Sequence, residues 1–209
     1  MLGRSFAHPI MRIAFDAPPG FTLTNSPQAI LIDGPDGLRG QFGGGALGPD
    51  GLEGYAERLV GSLIGKASAQ VGTAQRFTAN GLPAITVPVR VAGRQGDADL
   101  TVAVYATPDG AAYHFVTISQ PGSQAAGLIG SLFSSFRLLT PAQAAQLRPR
   151  VIRTATVRPG DTTESFARRM ASDHPLEHFL ALNGLTPGQA LQPGTGVKIV
   201  VLGAGSAAP

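Results

Sequence analysis

The stretch from Asp97 to Ser119 constrains this chain more than any other. Ala98, Leu100, Val102, Val104 and Ala106 fall on one side of an extended chain, and Asp97, Asp99, Thr101 and Tyr105 on the other. Successive side chains of a strand point to opposite faces, so the alternation predicts a half-buried antiparallel strand. Pro108-Asp109-Gly110 supplies a hairpin turn and Ala112–Ser119 returns.

The flanking sequence supplies more strands and their cover. Arg12–Phe15 and Phe21–Thr24 lie either side of Pro18-Pro19-Gly20, and Ala29–Ile32 and Arg39–Phe42 either side of Asp33–Gly37. Asp50 and Glu53 have the spacing of a capping box. They open a helix whose apolar face carries Leu52, Tyr55, Ala56, Leu59, Val60, Leu63 and Ile64. Gln75–Ala79 and Ala84–Val91 are strands about Asn80-Gly81. A second helix over 124–136 turns Leu128, Ile129, Leu132, Phe133 and Phe136 inward, and a short Ala/Gln-rich helix spans Pro141–Leu147. This order predicts an α+β fold, an antiparallel sheet covered by helices.

Composition excludes several classes. With 43% hydrophobic and 14% charged residues, the 209-residue chain is not disordered by composition, and it can fill one or two domains. There is no Cys, hence no disulfide and no thiolate metal site. No apolar run approaches a transmembrane length. The N-terminus lacks the charged and apolar regions of a signal peptide, which predicts either a cytosolic protein or a piece of a longer exported one. Residues 1–146 are neutral, with nine Lys/Arg and nine Asp/Glu, whereas residues 147–209 hold seven against four. Arg148, Arg150, Arg153 and Arg158 form a basic approach to the C-terminal segment, suited to an acidic partner or simply to solvent. With three Tyr and no Trp, stacking on nucleic-acid bases has no support.

Residues 156–202 read as a small βααβ unit. Ala155–Val157 is a strand and Pro159-Gly160 a turn. Asp161 with Glu164 looks like a capping box, and Phe166, Ala167 and Met170 give the helix an apolar side. Pro175 opens a second helix carrying Phe179 and Leu182, and Asn183-Gly184 closes it. Gln192-Pro193-Gly194 turns into the strand Val197–Val201. The expected division is a first domain over 1–147, a basic linker over 148–155, the unit over 156–202 and a flexible tail over 203–209.

His174-Pro175-Leu176-Glu177-His178 matches the H-x-x-E-H pattern of inverted zinc peptidases, which needs both His on one helical face. The residue before Pro is driven out of helical geometry, so His174 falls before the helix. The remaining His8 and His114 offer no obvious third ligand, and His114 reads as an ordinary sheet residue. There is no Gly-x-Ser-x-Gly, and Gly43-Gly44-Gly45 lacks the Lys and the helix of a phosphate loop. No catalytic residue and no metal or cofactor site emerges for this chain.

Three resemblances bear on function. "VRPGDTTESFA", "LNGL" and "LQPGTGVKI" together resemble a LysM module. That likeness implies binding of N-acetylglucosamine-containing glycans such as peptidoglycan. The implied groove lies between Gly160, Asp161, Thr162, Thr163 on one side and Leu182, Asn183, Gly184, Leu185 on the other. The chain departs from the pattern in having "TES" after "GDT" and no Tyr or Trp to stack on a sugar. "FDAPPGFTL", the amphipathic helix after it and "SFRLLTP" resemble the PsbP-like fold, a scaffold and binding fold. The whole series, from "GRSFAHP" through "LRPRVIRTATVRPGDT", resembles the C-terminal region of bacterial periplasmic zinc metallopeptidases, relatives of HtpX and of the CAAX prenyl protease. Their catalytic HExxH is missing here, so this likeness implies a non-catalytic accessory region in the periplasm or cell envelope. Its partners would be an upstream catalytic domain, which would hold the zinc, or another envelope protein. The alternative is a free-standing peptidoglycan-binding protein.

Overall fold

The computed structural model describes residues 4–26, 28–93, 96–124 and 126–203. The chain divides into two compact units, one made of residues up to His8 and Arg12–Leu138, the other of Pro9–Met11 and the residues from Leu139 onward.

The first unit is α+β and its sheets are antiparallel throughout. Its strands are β1 (Ser5–His8), β2 (Ile13–Asp16), β3 (Thr22–Asn25), β4 (Ile30–Asp33) and β5 (Arg39–Ala46), followed by helix α1 (Gly51–Ile64). Then come β6 (Ala69–Val71), β7 (Gln75–Ala79), β8 (Leu82–Val91), β9 (Ala98–Ala106), β10 (Ala111–Ser119), helix α2 (Ala126–Ser134) and β11 (Arg137–Leu138). Eight strands form one sheet in the order β3-β4-β5-β10-β9-β8-β6, with β7 also pairing β8, and β1-β2-β11 make a small second sheet.

The central hairpin is where the alternation puts it, with β9 pairing β10 from Asp99↔Ser119 to Ala106↔Ala112. Its burial differs from expectation. Val102, Ala103, Val104 and Tyr105 are all buried, so the strand is covered on both faces there. On one face Leu100, Val102 and Val104 pack with Ile85, Val87 and Val89 under Leu52, Ala56 and Val60 of α1. On the other, Ala103, Tyr105, Phe42 and Phe115 pack against Phe15 of β2 and Leu132, Phe133 and Phe136 of the α2 region. The Tyr105 hydroxyl, buried there, donates to the Phe133 carbonyl at 2.8 Å, which satisfies a polar atom that the alternation had assigned to solvent.

Three further expectations are corrected. Asp50 precedes α1 but makes no capping bond; its carboxylate accepts from Arg58 at 3.0 Å, and Glu53 pairs with Arg76. Leu63 and Leu128 are exposed. The segment after Ser134 does not continue the helix: Arg137–Leu138 add a third strand to β2, and Arg137 donates to Asp16 Oδ2 at 2.7 Å.

The second unit contains α3 (Pro141–Gln146), β12 (Arg150–Thr156), α4 (Thr163–Ala167), α5 (Pro175–Asn183) and β13 (Gly196–Leu202). β12 and β13 pair antiparallel from Arg150↔Leu202 to Thr156↔Gly196. The segment read as a basic linker is therefore strand from Arg150 onward, because β13 is long enough to pair with all of it. The tail expected at 203–209 lies, from residue 204, outside the described residues.

Candidate functional site

The second unit is built on two phenylalanines. Phe166 of α4 and Phe179 of α5 are fully buried and stacked, with ring centroids 5.5 Å apart and planes 3° from parallel. Val157, Met170, Val197, Ile199 and Val200 close round them. The loop that enters α4 and the loop that leaves α5 are the two that carry the candidate residues.

In the first loop Gly160 adopts φ +87, which completes the turn after Pro159. Asp161 does not cap α4. Its Oδ2 accepts from the Arg158 N–H at 2.8 Å, which holds the turn instead. The cap is Thr162: its hydroxyl accepts from the Ser165 N–H at 3.1 Å, and Ser165 Oγ accepts from the Thr162 N–H at 3.0 Å. The threonine one place nearer the helix has the extended backbone that a cap requires, with φ −123 and ψ 165, so it takes the role expected of Asp161, and Ser165 the role expected of Glu164. Thr163 is buried and donates to Glu164 Oε1 at 3.0 Å.

In the second loop Gly184 takes the left-handed conformation, φ +64, and ends α5. Asn183 holds β13: its Nδ2 donates to the carbonyls of Phe179 at 2.9 Å and Lys198 at 2.8 Å, and its Oδ1 accepts from the Lys198 N–H at 2.7 Å. Leu182 and Leu185 are half-buried against the cluster that contains Phe166. Of the eight candidate residues, these two leucines are thus brought to one apolar core, while Asp161, Thr162 and Asn183 fix backbone. This leaves chiefly backbone amides and carbonyls, and the second Asp161 oxygen, to meet a ligand. Groups of that kind can bind hydroxyls and acetamides.

The zinc-like motif is split by its proline. His174 lies outside α5 with φ −122 and ψ 73, and His178 Nδ1 is hydrogen-bonded to Ser172 Oγ at 2.8 Å. Among the described residues no group of three His, Asp or Glu is placed to hold a metal ion.

The first unit holds two features that the sequence did not announce. Gly43-Gly44-Gly45 lies within β5 opposite His114, Tyr113 and Ala112 of β10. A Cβ on Gly43 would meet His114 Nε2 at 3.0 Å, and one on Gly44 would meet the Tyr113 ring at 2.8 Å, so the glycines make room for two rings. His114 Nδ1 and the Tyr55 hydroxyl of α1 share a hydrogen bond of 2.9 Å, and burial lowers the imidazole pKa to about 4. Beside the same helix, a cleft of about 390 Å³ is lined by Ala56, Val60, Ile64, Val71 and Val87, with Glu57 at its wall. Small residues at Gly61, Gly72 and Ala74 leave it open, a gap no periodicity encodes.

No protein-family model and no curated protein matches this chain. Solved structures do. The cyanobacterial PsbP (CyanoP) of Synechocystis sp. PCC 6803 is 14% identical with a TM-score of 0.51, over 66% of this chain and 94% of that one. A protein of Bacteroides thetaiotaomicron is 9% identical with a TM-score of 0.51, over 88% of this chain and 60% of that one. LpqN of Mycobacterium tuberculosis, involved in cell envelope biogenesis, is 12% identical with a TM-score of 0.46, over 66% of this chain and 86% of that one. The antiparallel α+β architecture of this chain is PsbP-like in fold.

Proposed function

We propose that this chain is a non-catalytic binding region of a cell-envelope protein, in which a PsbP-like domain is joined to a LysM-like module that binds N-acetylglucosamine-containing glycan. One observation carries the reading: the loops Gly160–Thr163 and Leu182–Leu185 are fixed from within by Asp161, Thr162 and Asn183. Their backbone groups are thereby preorganised, and rigid groups bind sugar hydroxyls at lower entropic cost than mobile ones. The sequence likeness to LysM modules supplies the ligand class. The likeness of the series to the tail of envelope zinc metallopeptidases supplies a parent: the chain would locate such an enzyme on peptidoglycan or present substrates to it, and the zinc would belong to the parent's catalytic domain.

The test is an NMR titration of the chain with chitotetraose and, in parallel, with cellotetraose, which lacks acetamido groups. Saturable shifts confined to amides of Gly160–Thr163 and Leu182–Leu185, seen with chitotetraose alone, are expected. Shifts elsewhere, or equal responses to the two sugars, would sink the glycan reading. An immunoblot of envelope fractions addresses the parent: a band far heavier than 21.4 kDa is expected, and a band at that mass leaves a free-standing glycan-binding protein.

A further inference from the structure

The two edges of the β12–β13 sheet are treated differently. On β13, Lys198 gives both its backbone groups to the Asn183 side chain. The Val200 N–H points to Met170 Sδ at 3.1 Å, and its carbonyl accepts from the Ala171 N–H at 2.8 Å. That edge is closed. The same bonds fix the ladder's phase. Lys198 and Val200 face away from β12, so their partners Thr154 and Ile152 sit in the wide pairs and turn their own N–H and C=O groups away from β13. Among the described residues nothing takes those groups up. An edge of this kind is a template for another strand.

Its side chains indicate the partner. Ile152 is 61% exposed, and Leu202, on the same face of the sheet, is 50% exposed. Arg150 pairs with Asp173, whereas the guanidinium groups of Arg148, Arg153 and Arg158 form no ion pair among the described residues. A second copy of β12 laid alongside would set these cations against their own kind, and like charges directly opposite are destabilising. We propose that β12 is a docking edge for an extended acidic segment of a partner protein, which adds a third strand to this sheet with an apolar residue on Ile152 and carboxylates toward Arg148, Arg153 and Arg158. This interface meets the two loops of the glycan reading only at Arg158, whose backbone is bonded to Asp161, and it stands or falls without that reading.

The probe is a fluorescein-labelled peptide, Glu-Val-Glu-Val-Glu-Val-Glu, titrated against the full chain by anisotropy, beside the same peptide N-methylated at alternate residues. Saturable binding by the first and at least about tenfold weaker binding by the second is expected, because methylation removes the ladder donors. Thr154→Pro removes an outward N–H while sparing the β13 ladder, and is expected to weaken the first peptide to a similar extent. Binding that is equal for the two peptides, or absent for both, overturns the proposal. So does sedimentation showing a dimer that Thr154→Pro dissolves, since the edge would then serve a second copy.

Discussion

At the scale of single residues, side chains that look like ligands turn out to hold backbone. Asn183 makes three hydrogen bonds, and its loss would leave both groups of Lys198 unpaired. The two bonds to Lys198 are exposed and water can replace them, so Asn183→Ala is expected to cost about 1–2 kcal/mol, read by urea unfolding, and a reduced glycan affinity in that variant would report a loosened loop and not a lost contact. His114 makes a different forecast. Burial depresses its folded pKa from 6.5 to about 4, so the unfolded chain takes up a proton first as the pH falls. The stabilising contribution is complete above about pH 6.5 and is lost progressively as the pH drops toward 4, on the order of 3 kcal/mol in all. Unfolding curves of the parent and of His114→Gln are expected to diverge across that window; parallel curves would contradict it. Tyr55 and the glycine floor of β5 enclose this histidine, and neither could be read from the sequence, because Gly43 and His114 lie on adjacent strands that are far apart along the chain.

At the scale of elements, legibility tracked length and periodicity. The long strands β8, β9 and β10 and the helix α1 were legible because each repeats its pattern several times. β1, β6 and β11 were not: two to four residues carry little pattern, and none of them flanks a turn signal like Pro18-Pro19-Gly20 or Asp33–Gly37, which marked the equally short β2, β3 and β4. The second buried face of β9 was hidden because its key residues, Ala103 and Tyr105, are a small side chain and a tyrosine, neither of which marks burial by itself. Capping was misassigned twice for one reason: Asp50 and Asp161 have the right identity, but each is occupied by an arginine, the Arg58 side chain or the Arg158 N–H. This yields a paired forecast. Thr162→Ala is expected to cost about 1 kcal/mol, and Asp50→Ala less than about 0.5 kcal/mol, since it breaks only an exposed ion pair. Thermal melts of the two variants check both. In the candidate site, the turn at Gly160 and the left-handed end at Gly184 were legible from dipeptides, whereas the commitment of Asn183 to β13 needed the tertiary fold.

At the scale of the whole molecule, the chain keeps separate cores. The cluster of Phe15, Phe42, Phe115 and Phe136 shares no residue with that of Phe166 and Phe179. Phe166→Ala is expected to destabilise the second unit by about 3–5 kcal/mol. Hydrogen exchange should then accelerate in β12 and β13 while β9 and β10 keep their protection; a uniform rise across both units would contradict this. The two cores also close over very different spans of chain. β12 finds β13 within the C-terminal segment, but β2 must wait for the strand that follows α2: Asp16 and Ser135, which bond through backbone and hydroxyl, are 119 residues apart. On a translating ribosome, then, Phe6, Ile13 and Phe15 emerge 119 residues or so ahead of their cover. Until that cover emerges, the nascent β1–β2 hairpin carries an uncovered apolar face, which makes it a segment where a chaperone has much to protect.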